Sequence, residues 1–139
     1  MKDLKKRKEA YGLCGECREP GTGWHWCQPC NAKRFKENFN KWTSGNKDID
    51  KLIQVSQLNA VYYSKCLEWI PFEQFKNVTY ITRGGFGKIF SAVWPDGNIG
   101  FWDIKKQKWC RCSELKVALK SLDNSSDISK DFLNEVINT

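Results

Sequence analysis

Two Cys-x2-Cys steps, Cys14-Gly15-Glu16-Cys17 and Cys27-Gln28-Pro29-Cys30, set the strongest limit on how this chain can fold. A two-residue spacer lets both thiolates of one step face the same ion. The nine intervening residues hold Pro20, Gly21 and Gly23, and can swing the second step opposite the first. Zn²⁺ takes four such ligands in a tetrahedron with no open position, so the expected site is structural and its binding energy is folding energy. Buried free thiols or a redox pair are the alternatives, and the paired spacing favours zinc over both. His25, the sole histidine, stands two residues before Cys27 and is not needed as a ligand beside four cysteines. Cys66, Cys110 and Cys112 have no partner pattern and read as small apolar residues. Trp24 and Trp26 flank the ligands and are expected to supply the core of so small a module. The alternative is a base-stacking platform with Lys33, Arg34 and Lys36 nearby.

Metal rather than disulfide pairing presumes a reducing compartment. No apolar run approaches the roughly 20 residues of a membrane span. The basic start, Lys2, Lys5, Lys6, Arg7 and Lys8, leads into Tyr11-Gly12-Leu13-Cys14 rather than an apolar signal core. The expectation is therefore an intracellular protein, cytoplasmic or nuclear, without membrane contact. Residues 1–13 read as a solvated basic tail, with a nuclear-targeting patch as the sharper alternative. The net charge of +7 permits nucleic acid or another anionic partner without requiring one.

Beyond the cysteines, Phe35, Phe39 and Trp42 share one helical face, and Ser44-Gly45-Asn46 breaks that helix. A second helix is expected from about Asp48 to Leu58, with Ile49, Leu52 and Ile53 inward. Residues 31–68 thus form a helical linker after the module at 14–30. The pattern then turns to strands: Val78 to Ile81, Ile89 to Trp94, a hairpin of Ile99 to Ile104 and Lys108 to Cys112, and Lys116 to Ser121. Ser129 is a candidate N-cap for a helix over Lys130 to Ile137. The fold class is α+β.

Three features follow one another in this second half. Ile81-Thr82-Arg83-Gly84-Gly85-Phe86-Gly87-Lys88-Ile89 joins two expected strands, Val117-Ala118-Leu119-Lys120 lies on a third, and Glu135 follows on a helix. Glycines between strands let backbone approach a triphosphate. A strand lysine can pair with its phosphates, and a helix glutamate can hold that lysine by an ion pair. Each feature is weak alone; their order and context make the signal.

With Trp69-Ile70-Pro71-Phe72 ahead of the glycine turn, residues 69–139 resemble the N-terminal lobe of tyrosine-kinase-like protein kinases. The run of cysteine module, two helices and this lobe is similar to an expanded family of fungal kinase-like proteins. The resemblance implies ATP as ligand and protein Ser/Thr or Tyr phosphorylation in full-length relatives. It implies that Gly84, Gly85 and Gly87 form the phosphate turn with Phe86 at its tip, and that Ile81 and Ile89 flank the nucleotide. Ala118 would line the adenine pocket, Lys120 would bind phosphate and Glu135 would be its partner.

The chain departs from the family pattern in three ways. Thr82 replaces the first glycine of the turn. A hairpin with Trp102 and Trp109 is inserted, expected to lengthen the sheet edge, with a protein-docking surface as the alternative. These residues also hold no His-Arg-Asp or Asp-Phe-Gly, so the chain reads as a truncated lobe with an incomplete ATP site, inactive alone and with no catalytic residue of its own. The competing reading is a non-catalytic zinc-ribbon adaptor for nucleic acid or protein.

Overall fold

Asn46 starts the second major helix as the loop chemistry before it requires. Its side-chain oxygen accepts from the amides of Asp48 and Ile49 at 2.9 and 3.1 Å, which satisfies two of the donors a helix start leaves open. The structure, a computed structural model, describes residues 4–85 and 87–123. In chain order these are α1 (Leu4–Tyr11), α2 (Gln28–Asn38), α3 (Lys47–Asn59), β1 (Lys76–Arg83), β2 (Gly87–Trp94), β3 (Ile99–Asp103), β4 (Lys108–Arg111) and β5 (Leu115–Leu122). The architecture is α+β with antiparallel pairing throughout the described strands. Phe86, and the expected helix with Ser129 and Glu135, lie outside the described residues.

The chain divides into two units, Met1–Pro71 with Asp96–Ser113, and Phe72–Pro95 with Glu114–Thr139. In the first, the core is Trp26, Phe35, Ala60 and Ile99, with Phe39, Cys66 and Trp109 packed against it. Trp109 stacks on both Phe35 and Trp26, at ring-centroid distances of 5.0 and 5.8 Å. Trp26 also donates from Nε1 to the Ala60 carbonyl at 2.9 Å, so its one polar atom is paired. The α3 helix presents Ile53 inward, as its periodicity requires, and buries Gln57, whose Nε2 donates to the Leu67 carbonyl at 2.8 Å.

Two expectations change here. The basic start is not all solvated tail: Leu4–Tyr11 is helical, and Arg7 donates to the carbonyls of Pro20 and Gly21 at 2.8 and 3.1 Å. Gly12, at φ 73°, ends that helix in the left-handed conformation that glycine adopts without a Cβ penalty. The inserted hairpin does not lengthen the other sheet. β3 and β4 form their own two-stranded sheet, because Ile99 and Trp109 find apolar partners in the cysteine-bearing unit.

The second unit carries the three-stranded sheet β1-β2-β5. Phe90, Ala92 and Trp94 pair with Leu119, Val117 and Leu115 along one face. Paired residues in an antiparallel ladder share a face, so the intervening pairs, Ile89 with Lys120 and Ser91 with Ala118, lie on the other. Two register shifts in β1, one at Asn77 with φ 54° and one at Ile81, bend that strand along β2.

Candidate metal centre

The first cysteine step forms a tight turn. The Glu16 amide donates to Cys14 Sγ at 3.4 Å and the Arg18 amide donates to the Cys14 carbonyl at 3.0 Å. Arg18 sits at φ 65°, the left-handed position where a glycine is the low-cost residue. The second step is not another such turn. Cys27 is the N-cap of α2, and Cys30 lies in its first turn. Pro29, at the start of the helix, needs no hydrogen-bond acceptor for the amide it lacks.

A hydroxyl that local sequence patterns miss fixes this helix start. Thr22 Oγ1 accepts from the Gln28 amide at 3.1 Å and donates to the Val61 carbonyl at 2.8 Å. Gln28 Nε2 reaches the Leu58 carbonyl at 2.7 Å. The cap residue is six positions from the amide it satisfies, so no capping-box spacing could reveal it.

The four sulfurs lie within 4.8 Å of one another. Cys14 and Cys30 approach to 3.9 Å, and Cys17 and Cys27 to 3.7 Å. A tetrahedral thiolate centre with metal–sulfur bonds of about 2.3 Å has sulfur–sulfur edges of about 3.8 Å. The donor set therefore fits a metal ion with all four positions filled by protein. Among the described residues it is the one cluster of this kind, and His25 is outside it.

The thiols are electrostatically unequal. Burial opposes ionisation of Cys14, but the amides of Cys17 and Glu16 hold its thiol below the usual value. Burial pushes Cys27 well above the ordinary thiol range and Cys30 up to about 11. A bound dication has to displace these protons, since the thiolate is the ligand. Burial likewise pushes Cys66 up to about 11, which fits a packed, unreactive thiol.

Around the cluster, Glu16 and Arg34 form an ion pair between the first turn and α2, with Arg34 Nη1 donating to Oε2 at 3.2 Å. The guanidinium also lies 4.5 Å above the Trp102 ring, and Trp102 meets Trp109 edge-on at 5.1 Å. Both hairpin tryptophans are thus engaged inside their own unit, which removes the exposed-aromatic ground for a docking hairpin. Trp26 is 2% exposed and belongs to the core, whereas Trp24 is 63% exposed and does not.

In the sheet of the second unit, Ile89 and Lys120 are direct partners, with Ala118 two residues along the same face. The glycine turn closes with the Gly84 amide donating to the Gly87 carbonyl at 2.6 Å. Gly87 has a packing reason of its own, since a Cβ there would collide with the Ser121 carbonyl. A Cβ on Gly85 would meet nothing within 4 Å. Ile81 lies in the β1 irregularity and is exposed.

Fold and site together define an α+β protein with a closed four-cysteine cluster suited to a metal ion. No family model, curated protein or solved structure matches the chain. No helix among the described residues is long and apolar enough to cross a membrane.

Proposed function

We propose that this is a protein-kinase-type chain in which a zinc-stapled unit accompanies a nucleotide-facing sheet. Zn²⁺ is the metal of choice because four thiolates at closed tetrahedral spacing leave no site for catalysis and match its ligand preference. Its role is structural: it ties the first-step turn to the start of α2.

The nucleotide reading rests on one observation, the direct pairing of Ile89 with Lys120, with Ala118 on the same face. An apolar side chain beside a cation, below a turn whose Gly85 leaves open space, suits an adenosine phosphate. Lys120 would take the phosphate charge and Ala118 would allow the base to lie close to the strand. Glu135 is the proposed partner of Lys120, and Phe86 the cover over the phosphates. Phosphoryl transfer needs a base and metal-holding carboxylates that these residues do not include, so binding is the activity proposed for this sequence, with transfer reserved for longer relatives.

The experiment is a titration of the isotope-labelled chain with ATP, followed by amide shifts. Weak binding, with Kd on the order of 1 mM or above, is expected. The shifts should centre on Gly85, Ile89 and Lys120, and Lys120→Met should reduce them. Shifts elsewhere, or an unchanged response in Lys120→Met, would sink the reading. No incorporation of phosphate into protein is expected from the 139-residue chain.

A further inference from the structure

The charge of this chain is divided unequally between its two units. The unit formed by Met1–Pro71 and Asp96–Ser113 holds 17 of the 23 Lys and Arg and 10 of the 16 Asp and Glu, a net +7. The other unit holds six of each and is neutral. The entire excess therefore sits on the cysteine-bearing unit, where a Zn²⁺ held by four thiolates adds a net −2 and leaves +5 that the nucleotide reading does not use.

That unit also carries two exposed aromatic residues, Trp24 and Tyr62, and a half-buried one, Phe101. Trp24 projects from the tight turn Gly23–Trp26, in which His25 takes φ 50°. Its ring meets His25 edge-on at 4.1 Å and Phe101 of β3 at 6.0 Å. On the other side, Gly23 lies so close to Tyr62 that a Cβ would come within 2.8 Å of the tyrosine Cβ. Tyr62 is exposed, and Lys65 Nζ lies 5.4 Å from its ring centre. The exposed Lys105 and Lys106 form the turn that follows β3. They lie in the same hairpin as Phe101, past the end of β3 at Asp103. Trp24 and Phe101 thus meet edge to face, Tyr62 lies beside Gly23 with Lys65 at its ring, and Lys105 and Lys106 follow on the hairpin that carries Phe101.

Trp24 is the most exposed tryptophan among the described residues, and its contacts with His25 and Phe101 leave most of its surface in water. Bases stack on such rings whatever their sequence, and flanking lysines follow a phosphate backbone. A folded acidic protein would match the charge but has no flat face to lay on the exposed Trp24 ring. A duplex hides its base faces and cannot use it.

We propose that the cysteine-bearing unit binds single-stranded nucleic acid along Tyr62, Trp24 and Phe101, with Lys65, Lys105 and Lys106 on its phosphates. The inference is independent of the nucleotide reading, since none of these residues belongs to the sheet that carries Lys120. It does need the first unit folded, so metal content is measured on every sample beforehand.

The test uses the full 139-residue chain and a fluorescently labelled single-stranded oligonucleotide of mixed sequence, read by anisotropy. Binding is expected to quench tryptophan emission and to weaken steeply as salt rises, in proportion to the phosphates neutralised. Trp24→Ala should weaken binding about tenfold through lost stacking, with metal content unchanged. The pair Lys105→Gln and Lys106→Gln should flatten the salt dependence while retaining the quenching. Equal affinity for a duplex, for heparin or for vesicles of anionic lipid would show a general polyanion surface and overturn the proposal. So would single-strand binding that Trp24→Ala leaves unchanged in a fully metal-loaded protein, or no binding at low salt.

Discussion

Phe35 on α2 and Trp109 on β4 stack at 5.0 Å with their ring planes 17° apart. This contact holds the inserted hairpin to the cysteine-bearing unit, and Trp26 closes a triangle with both rings, 5.8 Å from Trp109 and 6.4 Å from Phe35. Trp109→Ala should therefore lower the stability of that unit by about 2 kcal/mol, less than a fully buried tryptophan would cost. Denaturant unfolding of metal-loaded protein, followed by near-ultraviolet circular dichroism, measures it. A double-mutant cycle with Phe35→Ala should return a coupling of about 1 kcal/mol. An unchanged midpoint in Trp109→Ala would mean that the hairpin is held by something else.

The metal prediction is compositional. Protein purified under reducing conditions should carry about one Zn²⁺ per chain, as a closed four-thiolate site requires. Cys27→Ser should lose the metal and loosen the start of α2, because it removes the thiolate that ties that start to the first turn, although serine is itself a good N-cap. Cys110→Ser should retain it, since Cys110 is exposed and outside the cluster. Elemental analysis that finds no zinc, or equal zinc in the two variants, would remove the assignment.

Arg18 offers a test with the opposite sign. Its φ of 65° costs an L-residue about 1 kcal/mol that glycine does not incur. Arg18→Gly should stabilise the first turn by about 0.5 kcal/mol after glycine's greater unfolded-state entropy is counted. Thermal unfolding of the metal-loaded variant reads this directly, and a lower melting temperature would contradict it.

Asp50 supplies the pH dependence. Its carboxylate accepts from the Ser44 hydroxyl at 2.5 Å, the Thr43 hydroxyl at 2.5 Å and the Ser44 amide at 2.8 Å. These bonds, with Ser44 first, hold its pKa below the ordinary carboxylate value. A depressed folded-state pKa contributes stability that is present above the unfolded value, about 3.9, and is lost as pH falls through the folded one. The start of α3 should therefore loosen only in strong acid. Asp50→Asn should remove that acid step and lower stability modestly at neutral pH. Amide exchange of Ser44 across an acid series measures both, and an identical profile in the variant would exclude Asp50 as the cause.

Much of the local structure was legible in the sequence because its causes are local. The two Cys-x2-Cys steps announce a four-thiolate cluster by spacing alone, and all four sulfurs do converge. Ile49, Leu52 and Ile53 at i, i+3, i+4 mark α3 by a periodicity that lies within the helix, whereas Asn46, read only as part of the break before it, is its N-cap. The alternation of Phe90, Ala92 and Trp94 assigns one face of β2 without reference to its neighbours.

What the sequence could not settle depended on distant partners. Trp24 and Trp26 differ by one turn residue, yet one is exposed and the other buried, because only Trp26 meets Ala60, Phe35 and Trp109. The hairpin of β3 and β4 looks like a sheet extension from its place between two strands. It joins the cysteine-bearing unit because burying Ile99 and Trp109 there outweighs chain proximity to β2 and β5. Thr22 caps a helix six residues away, and Arg7 serves the carbonyls of Pro20 and Gly21. Spacing along the chain determines which residues can share an ion or a helix face, whereas the apolar contacts between distant segments decide which surfaces remain for a partner.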